Sequence, residues 1–198
     1  DNSGERRTFS DLPLPQVPLP SALCAVQALL ALGESITEQA VQAVFSRTSL
    51  PGRLQQLPYQ GKNIVLDVAH NPAAAQLLVE NLQGHKPGSL HALFSVMADK
   101  DIAGIVAPLR RLVGHWHIAA LPHVARAAKP ADIVDVVQND ESDSVPVSTY
   151  NDAAAAMAGA LQQMQAGDTL LGFGSFFTVA EVLALIEARA QEEDRVRR

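Results

Sequence analysis

Residues 62–72 read Lys-Asn-Ile-Val-Leu-Asp-Val-Ala-His-Asn-Pro, an apolar run that ends in a carboxylate, an imidazole and an amide. Asp67 can accept hydrogen bonds from a ribose-type hydroxyl, and His70 and Asn71 can donate to an anion. Two more polar segments follow apolar runs in the same way. Asp99-Lys100-Asp101 carries a cation able to neutralise a phosphate or carboxylate. Gly174-Ser175, at the start of a helical pattern, offers backbone donors to an anionic group. Each segment alone also suits a plain turn, because Asp and Asn cap turns at strand ends. Together they have more meaning. In a parallel sheet the carboxyl ends of strands emerge along one edge, where distant segments can form one ligand site.

Other constellations are weaker. Ser175, His70 and Asp67 could be drawn as a hydrolase triad, but Gly172-Phe-Gly-Ser175 is not the Gly-x-Ser-x-Gly elbow. The chain contains neither a Walker phosphate loop nor a Gly-x-Gly-x-x-Gly fingerprint. His115 and His117 alternate along a predicted strand and share a face, but no third ligand is evident, so no metal site is assigned. Cys24, the one cysteine, sits in an apolar helical pattern and reads as a buried structural thiol.

The elements that must position these groups follow from periodicity. Leu54–Leu57, Asn63–Asp67, Leu90–Ser95, His115–Ala120, Ser144–Ser148 and Thr169–Phe173 read as strands. Pro58-Tyr-Gln-Gly61 is the turn between the first two. Helical patterns intervene: from Ala73 until Gly84, across Ile102, Ile105, Val106 and Leu109, over Pro130–Val137, and over Tyr150–Met164. A last helix carries Val179, Val182, Leu183 and Ile186, and from Arg189 the charged tail is expected to fray. Residues 121–130 read as a loop, and 139–144 as a solvated acidic one. The alternation predicts an α/β domain: a Rossmann-like, mostly parallel sheet with helices on both faces.

Ahead of it lies a short helical segment. Prolines alternate with apolar residues over 11–20, which makes an extended connector. Ser21 can cap a helix running to about Leu32, which Gly33 stops. Ser35-Ile-Thr-Glu38 fits a capping box ahead of a second helix with Val41, Val44 and Phe45 on its apolar side. Two short helices need another surface to bury those stripes. The chain begins on Asp1 rather than Met and is expected to be a piece of something longer.

Composition narrows the classes. The 198 residues are 47% hydrophobic but only 5% aromatic, so the core must be mostly Leu, Val, Ile and Ala. Fifteen Lys and Arg against 21 Asp and Glu leave a net charge of −6, which argues against nonspecific nucleic-acid binding. No run approaches the ~18 apolar residues of a membrane span, and no cationic signal segment opens the chain, so a cytoplasmic location is the default.

Leu50-Pro-Gly-Arg53, Leu66-Asp-Val-Ala-His-Asn-Pro72, Met97-Ala-Asp-Lys-Asp101 and Gly174-Ser-Phe176 occur in an order that resembles folylpolyglutamate synthase, including its bifunctional dihydrofolate synthase form. That family is a branch of the Mur-ligase superfamily, and the resemblance covers nearly the whole chain. It implies a C-terminal Rossmann-like domain over 54–198, an interdomain linker over 49–53, and the end of a central ATPase domain over 1–48. It also implies an activity. ATP phosphorylates a substrate carboxylate, and the amine of L-glutamate attacks the acyl phosphate to form an amide, with Mg²⁺ organising the phosphates. The acceptor would be dihydropteroate or a reduced folate.

By the same resemblance Arg53 reaches the ATP phosphates, Asp67 binds the ribose, and His70, with Asn71 beside it, contacts the nucleotide or phosphate. Lys100 lies near glutamate and the acyl phosphate, and Ser175 holds glutamate. Lys100 and His70 are thus the candidate catalytic residues. Val68 stands where many members carry glycine, a trait of the bifunctional-looking form. The family's Walker loop, magnesium ligands and much of its folate site would lie upstream of Asp1. The chain would then pack against its own ATPase domain, be inactive alone, and be monomeric at full length. A peptidoglycan-precursor ligase of the Mur type and a noncatalytic nucleotide-binding module are the competing readings.

Overall fold

Six strands line up in the order β1-β2-β6-β3-β4-β5 in a computed structural model that describes residues 7–15, 17–82, 89–139 and 145–196. The strands are β1 (Gln55–Tyr59), β2 (Lys62–Asp67), β3 (Leu90–Phe94), β4 (Val113–Ala119), β5 (Val147–Tyr150) and β6 (Thr169–Phe173). The chain divides into two compact units, Asp1–Gln55 and Gln56–Arg198.

In the second unit, β2 through β5 and β6 pair in parallel. Strands β3 and β6 are buried at every position, as interior strands of a doubly covered sheet require. β1 differs. Gln60 and Gly61, at φ 50° and 74°, make the two-residue left-handed turn that joins it to β2. A connection that short permits only antiparallel pairing. The turn therefore sits two residues later than Pro58, and β1 extends through Tyr59.

Helices α6 (Ala153–Gln163) and α7 (Phe176–Val196) cover one face. Ala153, Ala156, Met157, Val179 and Val182 pack there with Ile64, Leu66, Leu93 and Leu170. On the other side lie α3 (Pro72–Asn81), the short α4 (Ile102–Val106) with the 3-10 turn Ala107–Leu109, and α5 (Pro130–Gln138). The valines of α5 would suit a strand, but Pro130 in its first turn favours a helix. Phe94, Trp116 and Phe173 form an aromatic group inside the sheet, with the two phenylalanine centroids 4.6 Å apart.

The first unit holds α1 (Leu19–Ala31) and α2 (Glu38–Arg47) around Val17, Ala22, Val41 and Phe45. Three sequence expectations are corrected here. Cys24 is exposed. Its helix buries Ala22, and two residues further on the chain has turned about 200° to the opposite side. Helix α1 starts ahead of Ser21, at Leu19, because Pro20 is tolerated in the first turn; no side chain caps it. Thr37, not Ser35, caps α2, its hydroxyl accepting from the Ala40 N–H at 3.2 Å.

A fourth correction concerns the charged tail, which stays helical to Val196. Its charges alternate at helical spacing, and Arg189 reaches Glu193 at 3.2 Å. Met164 and Tyr150, read as helical, lie just outside α6, with Tyr150 closing β5. The expected helix stop at Gly84, the acidic run beyond Asn139 and the strand start at Ser144 fall outside the described residues. Among the described residues no helix is long and apolar enough to cross a membrane.

Candidate functional site at the carboxyl edge of the sheet

Asp67, Phe173 and Phe94 are register partners on three adjacent parallel strands, so β2, β6 and β3 all end in one row. The polar segments after them are thereby delivered to one edge. His70, Lys100 and Ser175 line a single cleft of about 490 Å³, together with His123, Arg126 and Phe176.

Each side chain is placed by local chemistry. Asp67 is buried and accepts from the Ala69 N–H at 2.8 Å, which tightens the turn after β2. The His70 Nδ1–H donates to the Val68 carbonyl at 2.7 Å, because that oxygen can only accept. This bond fixes the tautomer and leaves Nε2 as the free ring nitrogen. Asn71 caps α3, its side-chain oxygen accepting from the Ala74 N–H at 2.9 Å. Asp101 likewise caps α4 through Gly104.

Lys100 reaches Asp99 at 2.9 Å, and Arg126 reaches the other oxygen of that carboxylate at 3.3 Å. The Lys100 bond, then that of Arg126, holds the exposed Asp99 carboxyl below its ordinary pKa. One carboxylate thus gathers two cations at the cleft.

Ser175 is buried ahead of α7 and accepts from the Thr178 N–H at 3.0 Å, as a helix cap does. Thr178 passes its own hydroxyl proton to the Ser95 carbonyl at 3.1 Å, so Ser175 donates to the Thr178 oxygen at 2.7 Å. The Ser175 proton is therefore committed inside the protein. What α7 presents to the cleft is its first turn, whose orphan N–H groups and dipole favour an anion.

Arg53 belongs to the first unit, where its N–H donates to the Leu50 carbonyl at 3.0 Å and the residue lines an apolar groove with Leu29 and Val44. Asp67 and Asn71 sit at the carboxyl edge but do not line the cleft. His123 and Arg126 were not foreseen as site residues. They come from the loop after β4, held against β3's continuation by bonds from the Ala98 N–H to the Arg126 carbonyl and from the Ala128 N–H to the Val96 carbonyl, both 2.8 Å. The strand-end rule would have reached them had it been extended to the fourth strand.

Cations, imidazoles and backbone donors around a cleft define a site for anions held at the end of a parallel sheet. A family profile agrees: residues 52–176 match the glutamate ligase domain of Mur ligases, and the chain belongs to that family. The dihydrofolate synthase/folylpolyglutamate synthase of Escherichia coli K12 is 36% identical over 183 residues, which are 92% of this chain and 41% of that protein. The structure of Escherichia coli FolC with DHPP and ADP superposes with a TM-score of 0.82 at 34% identity, over 92% of this chain and 42% of the other. The Yersinia pestis bifunctional enzyme with AMPPNP and Mn gives 0.81 at 33% identity, over 93% and 42%. The chain therefore spans about two fifths of the length of the relatives it matches.

Proposed function

We propose that this chain is the C-terminal part of an ATP-dependent amide ligase that adds L-glutamate to dihydropteroate, to reduced folates, or to both, through an acyl phosphate. The observation that carries the reading is the cleft where Lys100, Arg126, His70 and the start of α7 converge. These groups suit the two carboxylates of glutamate and a phosphorylated carboxyl group. Similarity to dihydrofolate synthase/folylpolyglutamate synthases supports the substrate class.

In this reading residues 1–48 close a central ATPase domain, 49–53 link it to the rest, and 54–198 form the C-terminal domain. Arg53 meets the nucleotide phosphates, Asp67 the ribose, and His70 and Asn71 the neighbouring phosphate. Lys100 neutralises the charge that develops as the glutamate amine attacks and phosphate leaves, which is electrostatic stabilisation in a partly desolvated cleft. Ser175 acts by capping α7, so that the helix start receives a glutamate carboxylate. Mg²⁺ would screen the nucleotide phosphates, but the cleft offers it no fitting ligands. Asp99 is engaged by Lys100 and Arg126, and Asp101 caps a helix. The ion's carboxylates would come from the ATPase domain, which would also cover the exposed apolar side chains Leu29, Val44 and Leu50 of the first unit.

The test joins the chain to the N-terminal portion of a relative and measures glutamate-dependent ADP release with dihydropteroate. Turnover is expected from the assembled protein and none from the 198-residue chain. Lys100→Ala should lower kcat at least tenfold with folding intact. An assembled, folded protein without glutamate-dependent turnover would overturn the reading.

A further inference from the structure

Three imidazoles meet in the opposite half of the sheet. His91 on β3 pairs in register with His115 on β4, and Leu93 with His117, so all three histidines share the face that carries Leu93 and Ala119. Their rings stack within 10–18° of parallel, with centroids 4.3, 5.3 and 5.8 Å apart. One ring nitrogen from each lies within 4.8 Å of the others. Along β3, His91 lies ~13 Å before Ser95, and His117, level with Leu93, about half that distance.

The contacts on the far side of each ring resemble those of metal-bound histidines. His91 Nε2 faces Asp168 at 3.6 Å, His117 Nδ1 faces the Tyr150 hydroxyl at 3.1 Å, and His115 Nε2 faces Ser148 at 3.0 Å. Such partners orient a ligating imidazole and raise its basicity. The inner nitrogens, His91 Nδ1 and His117 Nε2, lie 3.0 Å apart.

We propose that His91, His115 and His117 bind one divalent transition-metal ion of the zinc type, with water completing the shell. Neutral imidazole is the ligating form, and burial favours it. Desolvation is the first cause that lowers all three pKa values, and with the neighbouring His115 and His91 it takes the fully buried His117 to about 3. Half-buried His115 leaves a way in from solvent.

Without an ion the Tyr150 hydroxyl donates to His117 and His117 to His91, whose Nε2–H faces the Asp168 carboxylate. Metal entry requires His117 to move its proton to Nδ1 and Tyr150 to turn from donor to acceptor. No proton is released overall. Stacked rings direct their lone pairs side by side, so the rings must also turn about χ2, a soft torsion.

Zn²⁺ titrated calorimetrically into the chelator-treated chain should bind one to one and raise Tm. Co²⁺ should give the visible bands of a tetrahedral nitrogen-rich site. His115→Gln should abolish one-to-one binding, and Tyr150→Phe and Asp168→Asn should each weaken it ~10–100-fold. In the unaltered protein the imidazole ¹⁵N signals of His91, His115 and His117 should shift together on Zn²⁺ addition, which needs no variant to fold. Absence of stoichiometric uptake, uptake that survives His115→Gln, or shifts confined to other histidines would show that the cluster is only a hydrogen-bonded chain.

Discussion

Gly174 meets two constraints at once. Its φ of 103° is a conformation that side-chain-bearing residues rarely adopt, and a Cβ there would strike the Phe94 ring and the Ser95 carbonyl. The strain alone is worth ~1–3 kcal/mol. Gly174→Ala is therefore expected to lower the unfolding free energy by at least that much, read as a lower denaturation midpoint. In an assembled ligase it should also raise the KM for glutamate, because the start of α7 would move. Unchanged stability would mean that the turn after β6 relaxes freely. The histidine cluster predicts a pH effect in chelator-treated protein. His117 is held at about 3 in the folded chain against the ordinary imidazole value of 6.5, so the unfolded chain binds the extra proton first. Stability should fall as pH drops from about 6.5 towards 3, by up to ~1.4 kcal/mol per pH unit for each such proton. His91 and His115 face His117, while Asp168 and Lys62 face His91, so all four shape the slope. In His117→Gln the slope over this window should be shallower, read from urea midpoints at several pH values.

At the scale of elements, helix ends show how sequence pattern and tertiary context divide the work. Asp152 caps α6 through the Ala155 N–H at 2.7 Å, a bond between near neighbours in the chain. The carboxyl end of α5 is satisfied from afar: Arg110 donates to the Val137 and Val136 carbonyls at 2.8 and 3.1 Å. Arg110→Ala should cost ~1.5–3 kcal/mol, as loss of charge-assisted hydrogen bonds does, with a lower Tm and little change in nucleotide affinity. The same division explains what could be read from the sequence. Strand and helix alternation was legible because burial imposes periods of 2 and 3.6 residues. The convergence of His70, Lys100 and Ser175 followed from strand order, since parallel strands end on one edge. Thr37 was missed as a cap because the Ser35–Glu38 spacing competed with it. Cys24 was misplaced because α1 buries little beyond Ala22, so its apolar stripe did not mark a core. His91 could not be joined to His115 and His117 without the β3–β4 register, which depends on contacts more than 20 residues apart.

For the whole molecule, strand order governs how the sheet can be assembled. The β6 strand lies between β2 and β3, although it follows both of them, and β4 and β5 as well, along the chain. A chain ended at Asp168 would leave β2 and β3 without their shared neighbour and remove α7 from one face. It should show no cooperative unfolding transition and no near-ultraviolet circular dichroism, and a cooperative transition in that truncation would refute the dependence.

The placement of β6 also has a consequence for synthesis. The middle of the sheet is completed only after the other five strands have been made, so β2 and β3 leave the ribosome with unpaired edges that persist until residues 169–173 follow. During that interval the apolar Ile64-Val65-Leu66 and Leu93-Phe94 segments are exposed to mispairing. Contacts between such distant segments also carry a high closure entropy, which slows folding. Chaperone dependence of this protein should accordingly be set by how quickly β6 is delivered.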